Sequence, residues 1–251
     1  MFHVLVNCGR CEAFIGKCLA SLRRQSVTGW RAEVTIDRNG DGTWEAALEA
    51  RGDDARVAIT RNPQRQYPMT NIQAALQRAA PDGEDVIVVL DGDDWLLDDR
   101  ALEKIAAAYD DGCWLTYGSW IGNRDDHPGM LPPYPDGTHD FRGAPFLATA
   151  VRTWKKWLFD LIDPRDLLDE RGRPLRVCED VAYMFPMLEM ATTRRARHIA
   201  EPLMLYNLLS DHDPGPALAR ESDRIRAWLR TRPRYAPIHK PERPAVLLSM
   251  E

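Results

Sequence analysis

The sequence predicts an α/β protein built on a doubly wound, mostly parallel, Rossmann-like sheet, and three observations carry that expectation. Short apolar runs alternate with segments of helical periodicity through residues 1–118. One run, "VIVVL" at 86–90, is apolar without alternation, as expected of a strand covered on both faces. Acids follow two of the runs directly, at Asp37 and Asp91, and open parallel sheets bind ligands outside the carboxyl ends of their strands.

Each element follows from local pattern. "FHVLVN" reads as a buried strand, and "CEAFIGKCLASLRRQ" as a helix with Phe14, Cys18, Leu19 and Leu22 at helical spacing. "RAEVTID" is a second strand, and the turn "RNGDGT" leads into the helix "WEAALEAR", capped by Thr43. "ARVAIT" is a third strand, and "TNIQAALQRAA" a helix ended by Pro81 and Gly83. "DVIVVLD" is the fourth strand, "DDRALEKIAAAYDDG" the next helix and "CWLTYG" the fifth strand. After Gly118 the rhythm breaks into a Pro-, Gly- and Asp-rich loop over 122–143, of the long kind that is often functional. "VRTWKKWLFDLI" and "EDVAYMFPMLEMA" predict helices, the second kinked or shortened by Pro186. Two short strands around "ARHIA" and "PLMLYN" return to the sheet, and from Asp213 a Pro-flanked helix precedes an extended tail. The expected organisation is one domain over 1–212 and a helical, basic extension over 213–251.

Composition narrows the class. At 251 residues, 44% hydrophobic and 28% charged, the chain has the make-up of a soluble globular protein. No apolar run approaches the roughly 20 residues that span a bilayer, and "MFHVLVNCGR" lacks the layout of a signal peptide, so a cytoplasmic location is expected. Five cysteines fit reduced, partly buried thiols; Cys8-x2-Cys11 has no second pair at zinc-site spacing. The net charge of −5 is uneven, acids dominating residues 1–141 and bases residues 142–251. The basic run from Arg220 onward is either a solvated helix face or a surface for a polyanion such as nucleic acid.

The acids of "LDGDDW" pose the functional question. Asp91-x-Asp93 sets two carboxylates on one side of an extended segment, and Gly92 lets the backbone approach a ligand closely. Hard oxygens of this kind suit Mg²⁺ or Mn²⁺, which use one or two carboxylates together with substrate phosphates. Asp94, Asp98 and Asp99 are expected as loop and N-cap acids ahead of "RALEKIAAAY". Glu179-Asp180 sits at a helix start, where the helix dipole favours ionised carboxylates. Trp154 and Trp157 are expected in the core, whereas Trp95 and Trp120 stand between core and acceptor-stacking roles. His127 and His139 carry no partner pattern.

These segments together resemble family 2 glycosyltransferases of the GT-A fold. The resemblance covers residues 3–210 and rests on "CEAFIGKCLASLRRQ", "IDRNGDGTWEAAL", "RNPQRQYPMTNIQAAL", "VVLDGDDWL" and "CEDVAYMFPMLEMA". It implies a nucleotide-sugar-binding half over 1–118 and an acceptor-side half over 119–212. It implies that Asp37 accepts from the nucleotide base (uracil N3–H), that Asp91 holds ribose or metal, and that Asp93 coordinates the metal bridging the donor diphosphate. Asp180, with Glu179 as the alternative, would take the proton from the acceptor hydroxyl. Asn7, Arg65 and Asn71 are further donor-side candidates, and His212 a late metal ligand. Ile36 replaces the first of two adjacent acids usual in the family, and the usual aromatic-Asn pair after the first strand is absent from "NCGRCEAF". Both departures bear on nucleotide selectivity.

The expected activity is therefore metal-dependent, inverting transfer from a nucleotide-sugar, a UDP-sugar in the first instance, with Mn²⁺ or Mg²⁺ stabilising the leaving diphosphate. A saccharide or other small glycan is the expected acceptor. The alternative is a DNA-modifying glycosyltransferase acting on hydroxymethylated bases, to which the basic second half would offer phosphate contacts. A nucleotidyltransferase would want a Gly-rich, basic loop after the first strand, which is not present in "NCGRCEAF". An inactive binding module would be expected to lose Asp91, Asp93 or Asp180, and all three stand.

Overall fold

A computed structural model of the chain describes residues 1–123, 129–209 and 215–239. The described residues contain eight strands, β1 (Phe2–Cys8), β2 (Trp30–Ile36), β3 (Val57–Arg61), β4 (Val86–Asp91), β5 (Trp95–Leu96), β6 (Leu115–Gly122), β7 (Arg152–Lys155) and β8 (Ala196–Tyr206). The helices are α1 (Ile15–Arg23), α2 (Thr43–Arg51), α3 (Tyr67–Ala79), α4 (Ala101–Asp110), α5 (Lys156–Asp160), α6 (Glu179–Arg195) and α7 (Gly215–Thr231). The strands form a single sheet in the order β3-β2-β1-β4-β7-β6-β8-β5. β1 to β4 are mutually parallel, β7 is antiparallel to both β4 and β6, and β6 and β8 are again parallel. None of the described helices is long and apolar enough to cross a membrane.

Both faces of the sheet are covered, which explains the unbroken apolar run in β4. Leu5, Ile87 and Val89 point into a core shared with α3 and α6. Val4, Val6, Val88 and Leu90 point into the opposite core, with α1 and α4. Helix α1 buries Ile15, Cys18, Leu19 and Leu22, one face at the spacing read from sequence. It is shorter than expected because residues 11–14 form a turn, in which the Cys11 carbonyl accepts from Phe14 and Ile15.

Local expectations fail where a distant partner decides. Val151–Ile162 is not one helix: Arg152–Lys155 forms β7 and only Lys156–Asp160 is helical. Without β7, the inner edge of β4 would leave backbone groups unpaired inside the protein, and pairing Val86↔Lys155 through Val89↔Arg152 satisfies them. Thr153 completes the fit by hydrogen bonding Thr116 at 2.6 Å and Tyr109 at 2.7 Å. The two short late strands are one strand, β8, in irregular register with β6 between Gly118 and Trp120. Helix α6 leaves helical geometry at Thr192 (φ 55°) rather than at the buried Pro186. Thr43 does not cap its own helix, since its hydroxyl accepts from the Cys11 amide while Asp41 accepts from the Thr43 amide.

The C-terminal helix is fastened by a buried ion pair. Arg142, from the loop before β7, makes a two-pronged contact with Glu189 of α6 at 2.6 and 2.9 Å, both side chains being almost fully buried. The same guanidinium donates to the Leu229 carbonyl of α7 at 2.6 Å, and Glu189 also accepts from the Tyr235 amide at 3.0 Å. One carboxylate and one guanidinium thus tie loop, α6, α7 and the segment beyond it. Glu189→Ala strands a buried cation and is expected to lower stability by about 3–5 kcal/mol. Arg142→Met with Glu189→Met should recover much of that loss, both read from urea denaturation midpoints.

Candidate active site

The carboxyl ends of β1, β2 and β4 lie level. Asn7 is in register with Thr35 on one side and Asp91 on the other, at the point where strand order reverses about β1. The Asn7 carbonyl accepts from the Gly92 amide at 2.8 Å. A Cβ at Gly92 would meet the Cys8 sulfur at 2.4 Å, so the backbone there packs too closely for any side chain. Asp91 is exposed, Asp93 is buried, and the following turn closes through an Asp94 amide to Asp91 carbonyl bond of 3.0 Å.

Asp94 is not the solvated loop acid expected from sequence. It is buried at 2% exposure, and its carboxyl accepts from the Asn207 amide at the end of β8 at 2.8 Å. Burial, then the charges of Asp91 and Asp93, push it up to about 9. Asp98 does serve the helix start, accepting from the Arg100 amide at 2.9 Å and from Lys104 at 2.6 Å, while Asp99 is exposed.

A second group of candidates lies at the start of α3. The buried Asp37 accepts from Asn62 and from the Gln66 and Tyr67 amides, each at 2.9 Å. These bonds explain why α3 begins at Tyr67, ahead of the expected Thr70, despite a positive φ of 67° at that residue. Asn62 also donates to Asn71 at 2.7 Å, so it joins two sequence candidates without having been one. The guanidinium of Arg65 lies 4.6 Å from the Tyr67 ring centre and that of Arg176 4.4 Å from it.

The third group is the start of α6, where Cys178 precedes the helix in the left-handed region at φ 57°. Asp180 is ion-paired to Arg152 of β7 at 2.7 Å, and its other oxygen accepts from the Val181 amide at 2.8 Å. Burial, then Asp180 and Asp91, push Glu179 up to about 8. Burial opposes the charge on Arg152, yet Asp180, Tyr183, Glu179 and Asp91 together hold its pKa above the ordinary value. A cavity of about 510 Å³ opens beside this helix start, lined by Arg65, Tyr67, Arg176, Glu179, Ser222 and Asp223 among others.

The geometry thus brings Asn7, Asp91 and Asp93 to one strand-end cluster and joins Asp37 to Asn71 through Asn62. It places Arg65 and Glu179 on one cavity, and Asp91 within electrostatic reach of Glu179 through Arg152. His212 and His127 lie outside the described residues. Arg152 and Tyr206 escaped sequence reading. Tyr206 packs on Trp120 with ring centres 4.9 Å apart, and burial with Asp94, Asp91 and Asp93 pushes its hydroxyl up to about 12. The signal for Arg152 was a cation inside an otherwise apolar and β-branched stretch; Tyr206 had none. Trp154 is fully buried and Trp157 packs against Trp114, as expected of core residues, while Trp95 is half-buried near Lys17. All five cysteines are buried thiols without disulfides. Among the described residues, no three His, Cys, Asp or Glu side chains form a ready-made cation cage.

A mixed, mostly parallel sheet with an acid-rich carboxyl edge is the architecture of GT-A glycosyltransferases. The profile of glycosyl transferase family 2 matches residues 4–165, and the chain belongs to that family. Among solved structures, S. aureus TarS 1-349 in complex with UDP superposes with a TM-score of 0.65 at 19% identity, over 91% of this chain and 64% of that one. The same protein with UDP-GlcNAc gives 0.63 at 18% identity, over 91% and 66%. The mannosyltransferase PcManGT from Pyrobaculum calidifontis, in complex with GDP-Man and Mn²⁺, gives 0.56 at 16% identity, over 84% and 58%. The chain therefore spans less than two thirds of the length of each, and at these identities the likeness is one of fold. Comparison with curated protein sequences yields no match.

Two outcomes follow from this geometry. Gly92→Ala is expected to cost about 1–3 kcal/mol through overpacking against Cys8, read as a lowered thermal midpoint. Asp94 holds a proton up to about 9 in the folded chain but releases it near pH 4 when unfolded. Between those values the folded state binds the extra proton, so this residue makes stability fall as pH rises. Asp94→Asn keeps an acceptor for Asn207 and removes that slope. In chelator-treated protein it should gain stability over wild type between pH 5 and pH 8, as measured by urea denaturation.

Proposed function

We propose that this chain is a metal-dependent, inverting glycosyltransferase that moves a sugar from a nucleotide-sugar, a UDP-sugar in the first instance, to a hydroxyl of a saccharide acceptor. The carrying observation is the approach of Asp91, two residues before Asp93 at a strand end, to Glu179 and Asp180 at a helix start, with Arg152 bonded to Asp180. Family membership and the UDP, UDP-GlcNAc and GDP-Man complexes of the structural neighbours support the donor class.

Burial, and after it the charges of Asp91 and Asp93, push Asp94 up to about 9; a divalent cation would relieve the repulsive part, so these carboxylates fit Mn²⁺ or Mg²⁺. Asp93 and Asp91 would hold it, completed by diphosphate oxygens. When bound, the ion supplies positive charge to the departing diphosphate. Asn7, in register with Asp91 at the strand ends, would meet the nucleoside, and Asn62, which also donates to Asn71, donates to Asp37, the residue proposed to accept from the base. That role is limited by geometry: three of the roughly four acceptor positions of the Asp37 carboxylate are already engaged. Arg65 would face the donor from the rim of the cavity. On the acceptor side, Asp180, with Glu179 beside it, takes the hydroxyl proton as the new glycosidic bond forms opposite the leaving group. One displacement of this kind inverts the anomeric centre.

A DNA acceptor gains less support. It would draw on basic-half cations to meet phosphates, and four of these are engaged within the chain, Arg173, Arg232 and Arg234 with Asp169, Asp166 and Asp140, and Arg224 with Glu170. A saccharide acceptor makes no such demand.

Calorimetric titration of UDP, with and without Mn²⁺, tests the reading. Wild type should bind with affinity that rises on adding metal, and Asp93→Ala should lose the metal-dependent part. Absence of UDP binding under both conditions would remove the UDP-sugar assignment, and the same titration with GDP would show whether the donor base alone was wrong.

A further inference from the structure

Arg152 is bonded to Asp180 of α6 and stands within electrostatic reach of both Glu179 and the strand-end acid Asp91. Its Nη2 donates to Asp180 at 2.7 Å, and its Nε donates to the Ala148 carbonyl at 3.1 Å. The guanidinium is therefore held at two points, one on the loop before β7 and one on the helix start. The antiparallel register Val89↔Arg152 fixes how far along β4 it stands, two residues short of Asp91. The charged groups around it are Asp91 from β4 and Glu179, Asp180 and the Tyr183 hydroxyl from α6. The Tyr183 hydroxyl is buried and has no hydrogen-bond partner among the described residues, so it does not compete for Asp180.

Resting on the glycosyl-transfer reading above, we propose that Arg152 is a positioning residue of that reaction: it orients the Asp180 carboxylate and offsets the negative charge that β4 and α6 bring to one site. Three carboxylates that meet without a cation would repel one another and turn the helix-start side chains away from the acceptor. A guanidinium does more than supply charge here. Its planar fork binds two acceptors in fixed directions, which a lysine ammonium cannot reproduce. The bonds of Arg152 run to Asp180 and to the Ala148 carbonyl, so its contribution falls on turnover rather than on donor capture.

The test compares Arg152→Gln and Arg152→Lys with wild type, using UDP titration in Mn²⁺ for donor binding and steady-state transfer for turnover. Arg152→Gln is expected to keep UDP affinity within about threefold and to lose about a hundredfold in kcat, the typical effect of a misplaced reacting group. Arg152→Lys, with the charge but not the fork, should fall between the two. Turnover of Arg152→Gln within about threefold of wild type would overturn the assignment. So would loss of UDP affinity in proportion to kcat, which would make Arg152 a residue of the fold. Should Arg152→Gln not fold, Arg152→Lys decides by the same split between kcat and affinity. Wild-type protein that binds no nucleotide at all would instead strike the glycosyl-transfer reading, an outcome separable from the other two.

Discussion

The pairing of β7 against β4 is the contact on which the rest of this structure depends. Four residue pairs join the parallel strands β3-β2-β1-β4 to β7, and two more join β7 to the strands β6-β8-β5. Remove that ladder and the sheet has two halves, each with a buried edge of unpaired amides and carbonyls. The same pairing shapes the site, because its register delivers a guanidinium near the carboxyl end of β4 and so to the neighbourhood of Asp91, Asp94, Glu179 and Asp180. Fold and site are thus one constraint: the strand that closes the backbone accounting also carries the charge that lets the carboxylates coexist.

What was readable in the sequence is what is settled locally. Periodic apolar residues placed β1 to β4 and the helices between them, because both patterns report a face turned toward a core within one element. Asp91 and Asp93 were legible as a strand-end pair, and Glu179-Asp180 as a helix start. The misreadings share a different origin. Trp154 and Trp157 stand at helical spacing, yet the strand pairing of Arg152–Lys155 overrides it. Asp94 looks solvated until Asn207, 113 residues later, supplies its hydrogen bond. Nothing in "DGDDW" announces that partner, nor that Tyr206 would lie alongside it.

The C-terminal helix illustrates how buried charge acts as a fastener. A salt bridge as enclosed as Arg142–Glu189 is not a strong source of net stability, because desolvation of both ions offsets much of their attraction. Its value is directional. Glu189 and Arg142 together hold an α7 carbonyl and the Tyr235 amide, and apolar residues such as Ile225 and Leu229 fill the contact around them. One wall of the cavity beside Glu179, formed by Leu218, Ala219, Ser222 and Asp223, is therefore placed by a contact remote from it.

Asp37 has a consequence for how such an enzyme can diversify. Its carboxylate is engaged by two backbone amides that start α3 and by the side chain that reaches Asn71. On the proposed role of Asp37 toward the base, the residue cannot drift freely, because any replacement there also unfastens a helix. Variation in donor preference across descendants of this chain would then enter through Asn62 and Arg65, whose side chains border the same ground without starting an element. The fold holds one coordinate of specificity still and leaves its neighbours open to change.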